Sequence, residues 1–405
     1  MAQEKLQQLS SEEDAEQKEH ALLTFEFMGQ FLDRMSRTPD EFREDYRKVQ
    51  ASMTMTKSSA INGRRSCPEL TTPKLWLGPE NTAARSEESS EKSKGFTVKT
   101  QTVSQGRDNI LAYIGESPKT RVLVTSHIDT VPPFLPYERR GDEIWGRGSV
   151  DAKGSVATQI IAVESLLEES KIGEGDVALL FVVGEEEDSA GMLAANALGL
   201  SWEAVIFGEP TELKLGSGHK GGIGITIKAR GKAGHSGYPE LGKNAIDMLI
   251  RALSSLNELE LPRSERYGDT TINLGTINGG VAANVIAEEA IASLTVRIAA
   301  GSPESIKEMV ETAIYKASPE VEIDYTLGIG PVPLDHDIDG FETIVLNYGT
   351  DIPSLDGNHK RYLYGPGSIH VAHSDHESVK ISDLKTAVEG YKVLIMESLK
   401  RKPSI

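Results

Sequence analysis

The chain has 405 residues, 38% hydrophobic and 26% charged, with a net charge of −18. It is long enough for a sizeable core and two or three domains. The charge argues against a nucleic-acid partner, which needs Lys and Arg clusters, and against an anionic membrane surface.

The start, "MAQEKLQQLSSEEDAEQKEH", is acidic and has no apolar signal region, and no later stretch approaches a membrane span. A cytoplasmic location without membrane partners is therefore expected. Cys67 is the single cysteine, so an intrachain disulfide and a CxxC zinc site are excluded. Residues 1–95 read as an N-terminal extension. "ALLTFEFMGQFLDRM" can form an amphipathic helix. "TPDEF" looks like a second start, with Thr38 as cap, Pro39 in the first turn and Glu41 completing a capping box. Residues 81–95, polar and Ser-rich, read as a linker.

From Phe96 the pattern becomes regular. "RVLVT" (121–125), "VALLFVV" (177–183) and "EAVIFG" (203–208) are near-continuous apolar strands. Between the first two lies a helix with Val156, Ile160, Val163 and Leu167 on one face and Gly173 as its stop. Strand, helix, strand of this kind indicates an α/β domain, a mainly parallel sheet sandwiched by helices. Around residue 218 the character changes. "GITIKARG", "TTINLGTING" and "AIASLTVRIAA" alternate apolar and polar, and "NAIDMLIRALSSLNEL" and "SPESIKEMVETAIYKAS" are helical. That is an inserted α+β domain over 218–330. The first domain then comprises 96–217 and 331–405, with "SDLKTAVEGYKVLIMESLK" as its last helix.

Chemistry-bearing residues follow each apolar strand. His127 and Asp129 lie in "SHIDTVP", Asp151 in "GRGSVDAKG", Glu185, Glu186 and Glu187 in "GEEEDSAGM", Glu209 in "GEPTE" and His373 in "GPGSIHVAHSDHES". In a parallel sheet such strand ends share one rim, where ligands bind. Stacked carboxylates need cations to stay ionised. Imidazoles and carboxylates together suit two Zn²⁺, with Co²⁺ or Mn²⁺ as substitutes. Such a pair lowers the pKa of its water and polarises a carbonyl, and one further carboxylate is needed as general base.

These motifs, with "GKAGHSGYP" and "GGVAANV", occur in the order found in the co-catalytic zinc peptidases. That family includes aminoacylase, acetylornithine deacetylase, succinyl-diaminopimelate desuccinylase and glutamate carboxypeptidases. The chain resembles that family over roughly residues 96–400, and within it the fungal-type probable carboxypeptidases. The resemblance implies that His127, Asp151 and Glu209 hold one zinc. Asp151, Glu186 and His373 would hold the other. Counting back from Gly191-Met192, it makes Glu185 the base and leaves Glu187 over; a one-residue slip would make the pair Glu186 and Glu187. It implies that Asp129 orients His127, that the inserted domain is a lid through which a homodimer forms, and that His235 stabilises the oxyanion in the partner subunit's site. Asn284 and Arg297 match positions associated with the substrate's carbonyl or carboxylate.

"GSGHKG" and "GYPELGKN" come near nucleotide-binding patterns but lack the following helix and the Ser or Thr those need, so they read as turns. His219, His370 and His376 read as hydrogen-bonded or solvated side chains. The function expected is hydrolysis of an amide or peptide bond next to a free carboxylate, on a small peptide or an N-acyl amino acid. The alternative is a catalytically silent binding protein that keeps the fold.

Overall fold

The computed structural model describes residues 96–401. The helices and linker expected within 1–95 lie outside the described residues, as does Cys67. The described chain divides into two compact units, one formed by 96–213 and 355–401, the other by Lys214–Ser354. Among the described residues no helix is long and apolar enough to cross a membrane.

The first unit is built on a six-stranded sheet. Across it run Phe96–Ser104, Arg107–Ile114, Val177–Val182, Val122–His127, Ala204–Gly208 and Lys360–Tyr364. The first two pair as an antiparallel hairpin, and Arg107–Ile114 is antiparallel to Val177–Val182. The remaining pairings are parallel. The inner strands "VLVTSH", "VALLFV" and "AVIFG" are buried at every position, as strands covered on both faces must be. Helices Lys153–Glu168 and Ile381–Lys400 pack on each other and against the Val122–His127 strand.

The helix after Asp151 buries a different stripe from the expected one. Val156, Gln159, Ala162, Val163 and Leu166 are buried, while Ile160 and Leu167 are half-buried. Polar residues explain the rotation: Gln159 is buried because its Nε2 donates to the Thr125 carbonyl at 2.9 Å. The helix also ends before Gly173. Ser170 takes the left-handed conformation (φ 54), and the Ser170 and Lys171 N–H groups close back on the Leu167 and Leu166 carbonyls. This is a Schellman closure with serine where glycine is usual.

The second unit carries a four-stranded antiparallel sheet in the order Thr271–Gly279, Glu289–Ile298, Gly221–Arg230, Glu322–Tyr325. Its central strands alternate buried and open positions. The buried side, with Ile223, Ile225, Ile227, Leu294 and Val296, shares one core with Met248, Leu249 and Ala252 of helix Ala245–Leu256. Ile306, Val310 and Ile314 of helix Pro303–Ala317 complete it. Both helix starts are capped, by Asn244 and by a Ser302–Ser305 capping box. The unit extends past the expected boundary at 330 to Ser354. The cause is a small sheet in which Leu215–His219 pairs with Val332–Pro333 on one side and Thr343–Leu346 on the other.

Candidate metal centre

Four neighbouring parallel strands of the first unit deliver the candidate ligands at their carboxyl ends. Val122–His127 ends on His127 itself. Ala204–Gly208 runs into Glu209, and Lys360–Tyr364 leads to the loop holding His373. After Val177–Val182 the chain reverses at Gly184 (φ 84), whose carbonyl accepts the Asp188 and Ser189 N–H groups. Glycine alone takes that backbone without steric strain. The turn so closed presents Glu185 and Glu186. Asp151 arrives from the loop before helix Lys153–Glu168, where the helix dipole favours a carboxylate.

The side chains converge in two groups. His127, Asp151 and Glu209 place ligand atoms within 4.8 Å of one another, and so do Asp151, Glu186 and His373. Asp151 belongs to both through different oxygens. Its Oδ1 lies 3.1 Å from His127 Nε2, and its Oδ2 lies 3.4 Å from His373 Nε2. Glu209 Oε1 is 3.6 Å from His127 Nε2, and Glu186 Oε2 is 3.0 Å from His373 Nε2.

Hydrogen bonding shows what belongs between these atoms. His127 Nδ1 donates to the Asp129 carbonyl at 3.0 Å, which leaves the Nε2 lone pair facing two carboxylate oxygens. Acceptors face acceptors, so the gap calls for a cation. With a proton in that role, burial pulls the His127 imidazole down, but Glu209, Asp129, Asp151 and Glu185 hold it well above its usual value. Bonds to Asp151 and Glu186 push His373 up to about 10. Burial would raise Asp151, but His127 and His373 hold it far below the carboxylate range. Burial pushes Glu209 well above its usual value, against His127 and with the help of the surrounding carboxylates. Glu186 Oε1 is buried without a hydrogen-bond partner among the described residues. Two imidazoles, three carboxylates and no thiol form a donor set that fits a pair of borderline divalent ions.

Glu185 is half-buried at the lip of this cluster, and its charge is felt by both His127 and Glu209. The Glu185 and Glu186 amides donate to the two carboxylate oxygens of Asp129 at 3.3 and 3.4 Å. Asp129 thus anchors the acidic turn with its side chain and sets the His127 tautomer with its main chain; its Oδ1 stays 3.7 Å from Nδ1. Glu187 is exposed and pairs with Arg107 at 3.4 Å. In this arrangement Glu185 and Glu186 face the cluster and Glu187 does not.

His235, Asn284 and Arg297 lie in the second unit. His235 and Asn284 are neighbours: His235 pairs with Val285, and the Ser236 N–H donates to the Asn284 carbonyl at 3.1 Å. His235 Nδ1 accepts the Gly237 N–H at 3.0 Å, so the ring proton sits on the exposed Nε2. Arg297 stands opposite Gly222 near the far end of the Glu289–Ile298 strand, eight residues or roughly 25 Å along it from Glu289 at ~3.3 Å per residue, whereas His235 and Asn284 lie beyond the Glu289 end. His219 is buried: its Nδ1 donates to the Lys220 carbonyl at 2.7 Å and its Nε2 accepts from Thr350 Oγ1 at 3.1 Å. His370 and His376 are exposed.

Several residues around the centre carry no mark in the sequence pattern. Asn109 is fully buried and bonds the Gly191 carbonyl and the Val183 amide, pinning both ends of the Glu185–Glu186 turn. Arg147, Lys153 and Glu377 are buried beside Asp151. Burial pushes the Lys153 ammonium down to about 8, against the pull of Glu377 and Asp129. The signal available for these three was a charged residue inside each of "GRGS", "DAKG" and "DHES", next to a candidate ligand.

Comparison with known proteins shows similarity of sequence and of fold. Residues 217–322 match the family model described as a peptidase dimerisation domain, and 109–205 match that of peptidase family M28. A peptidase M20 domain-containing protein of Sordaria macrospora is 50% identical over 325 residues, covering 73% of this chain and 72% of its own. A probable carboxypeptidase of Aspergillus clavatus is 48% identical over 341 residues, covering 76% and 82%. Among solved structures, an M20 family metallo-carboxypeptidase of Sulfolobus solfataricus shares the fold. The TM-score is 0.61 at 18% identity, covering 76% of this chain and 91% of that one.

Proposed function

The chain belongs to the M20 peptidase family, and on that premise we propose that it is a metal-dependent carboxypeptidase or N-acyl amino acid deacylase using two divalent ions, zinc foremost. One observation carries the reading: the two oxygens of Asp151 each face a different imidazole, and each imidazole faces a further glutamate. His127, Asp151 and Glu209 would hold one ion, and Asp151, Glu186 and His373 the other. Bound there, the ions would supply an acidified water and a polarised scissile carbonyl.

The chain's own residues do the rest. Glu185 takes the proton of the attacking water and returns it to the leaving nitrogen. His235 donates its Nε2–H to the developing oxyanion, with Asn284 beside it. Arg297 receives the substrate's free carboxylate, to which a guanidinium fork is matched. His235 and Arg297 stand too far apart in one copy to hold one small substrate, which supports a homodimer in which His235 serves the partner subunit's site.

The test is metal content together with hydrolysis of a panel of dipeptides and N-acetyl amino acids, with and without chelator. About two divalent ions per chain and chelator-sensitive cleavage are expected. Bound metal with no cleavage of any substrate would instead favour the silent binding protein.

A further inference from the structure

Arg147 and Glu377 belong to neither ligand group, yet Glu377 holds the main chain at Asp151, which belongs to both. Their side chains are 3% and 0% exposed, and Arg147 Nη1 donates to Glu377 Oε2 at 2.5 Å. The other carboxylate oxygen, Oε1, accepts the Val150 and Asp151 main-chain N–H groups at 3.2 and 3.3 Å. Arg147 Nε donates to the Pro133 carbonyl at 3.2 Å, so the pair also reaches the segment that follows Asp129. The main chains join as well: the Gly146 N–H donates to the Glu377 carbonyl, and Ser378 pairs with Trp145.

A buried carboxylate needs a counter-charge and several donors, and Glu377 has both. What it binds is specific. Its own loop carries His373, and the amide it holds is that of Asp151. Those two residues, with Glu186, make one half of the centre. His373 has a half-exposed side chain and a left-handed backbone (φ 60), a conformation a β-carbon disfavours, so the loop around it must supply the restraint. His127 and Glu209, by contrast, sit at the ends of fully buried strands.

We propose that Glu377, held by Arg147, is a positioning residue that sets the span between Asp151 and His373 and thereby the affinity of the Asp151–Glu186–His373 half of the centre for its ion. The inference rests on the metal reading above.

The test is titration of the metal-free protein with Co²⁺, followed by calorimetry and visible absorbance, with His373→Ala marking which event belongs to the His373 half. In Glu377→Gln that event is expected to weaken by roughly 10- to 100-fold, as when the hydrogen-bond partners of ligands are lost, while the His127–Glu209 event stays within a few-fold. Arg147→Lys keeps the charge but not the fork, and should weaken the same event less. It serves as the second variant if Glu377→Gln does not fold, as judged by thermal melting in chelator. Unchanged Co²⁺ events in a folded variant, or equal weakening of both, would overturn the proposal and leave the pair as structural glue. A wild-type protein that binds no Co²⁺ would sink the metal reading itself, and this inference with it.

Discussion

Glu185, Glu186 and Glu187 are chemically alike, and their surroundings separate them. Glu186 lies against His373, Glu187 in solvent beside Arg107, and Glu185 at the lip between. In its proposed role of base, Glu185 would be needed for proton transfer and not for holding a metal. Glu185→Gln should lower kcat by at least 100-fold while elemental analysis still finds the wild-type metal content. Turnover that survives would remove Glu185 from that role. His219 gives a residue-scale prediction of stability. Burial, helped by the Arg297 charge and opposed by the Lys220 carbonyl, lowers its pKa to about 4. A depressed histidine is neutral in the fold while the unfolded chain takes up a proton below about 6.5. Its contribution is therefore complete above pH 6.5 and lost as pH falls towards 4. Between pH 7 and pH 5 that amounts to about 2 kcal/mol. Urea unfolding of His219→Asn should show a correspondingly flatter dependence over that range, and a slope equal to wild type would rule the linkage out.

At the scale of elements, the acidic turn between Val183 and Gly191 is tightly fitted. Asn109 holds both of its ends, and a β-carbon on Gly191 would run into the Val183 carbonyl and the Asn109 amide oxygen. Gly191→Ala should lower stability by ~1–3 kcal/mol and should also reduce activity, because the displaced turn carries both glutamates. Thermal melting and kinetics on the same preparation check this, and full activity would show the turn to be more tolerant than its packing. The strands were legible because buried parallel strands are unbroken apolar runs, and polar residues at their ends stand out against them. The face of helix Lys153–Glu168 was not, because Gln159 is buried through a hydrogen bond that no hydrophobic period records. Nor was the use of Asp129: a sequence displays its carboxylate, while the contact that sets the His127 tautomer comes from its carbonyl. Glu377 and Arg147 meet across the whole inserted unit, 230 positions apart in the chain, and nothing local to either announces the other.

At the scale of the molecule, the compact unit around the insertion runs on beyond 330 through Val332–Pro333 and Thr343–Leu346, which are too short and irregular to show a period. Their pairing with Leu215–His219, a long-range fact, draws the boundary out to Ser354. The proposed exchange of His235 between subunits also belongs to this scale. Mixing inactive Glu185→Gln and His235→Ala proteins should restore activity, because the mixed dimer contains one site with both an intact Glu185 and an intact His235. No recovery after subunit exchange, verified by mass spectrometry, would show that each site uses its own histidine or none.

The insertion divides the centre in a second way, by time of synthesis. The strands on either side of it, Ala204–Gly208 and Lys360–Tyr364, are adjacent and parallel in the finished sheet. On the ribosome they emerge far apart, since domains appear from the N-terminus onward. His127, Asp151 and Glu209 are all translated before the inserted unit begins, whereas His373 follows it. A nascent chain paused within the insertion already holds every member of the His127–Asp151–Glu209 group and lacks the last member of the other. The first group is thus complete in the chain before the insertion, and the second only after it.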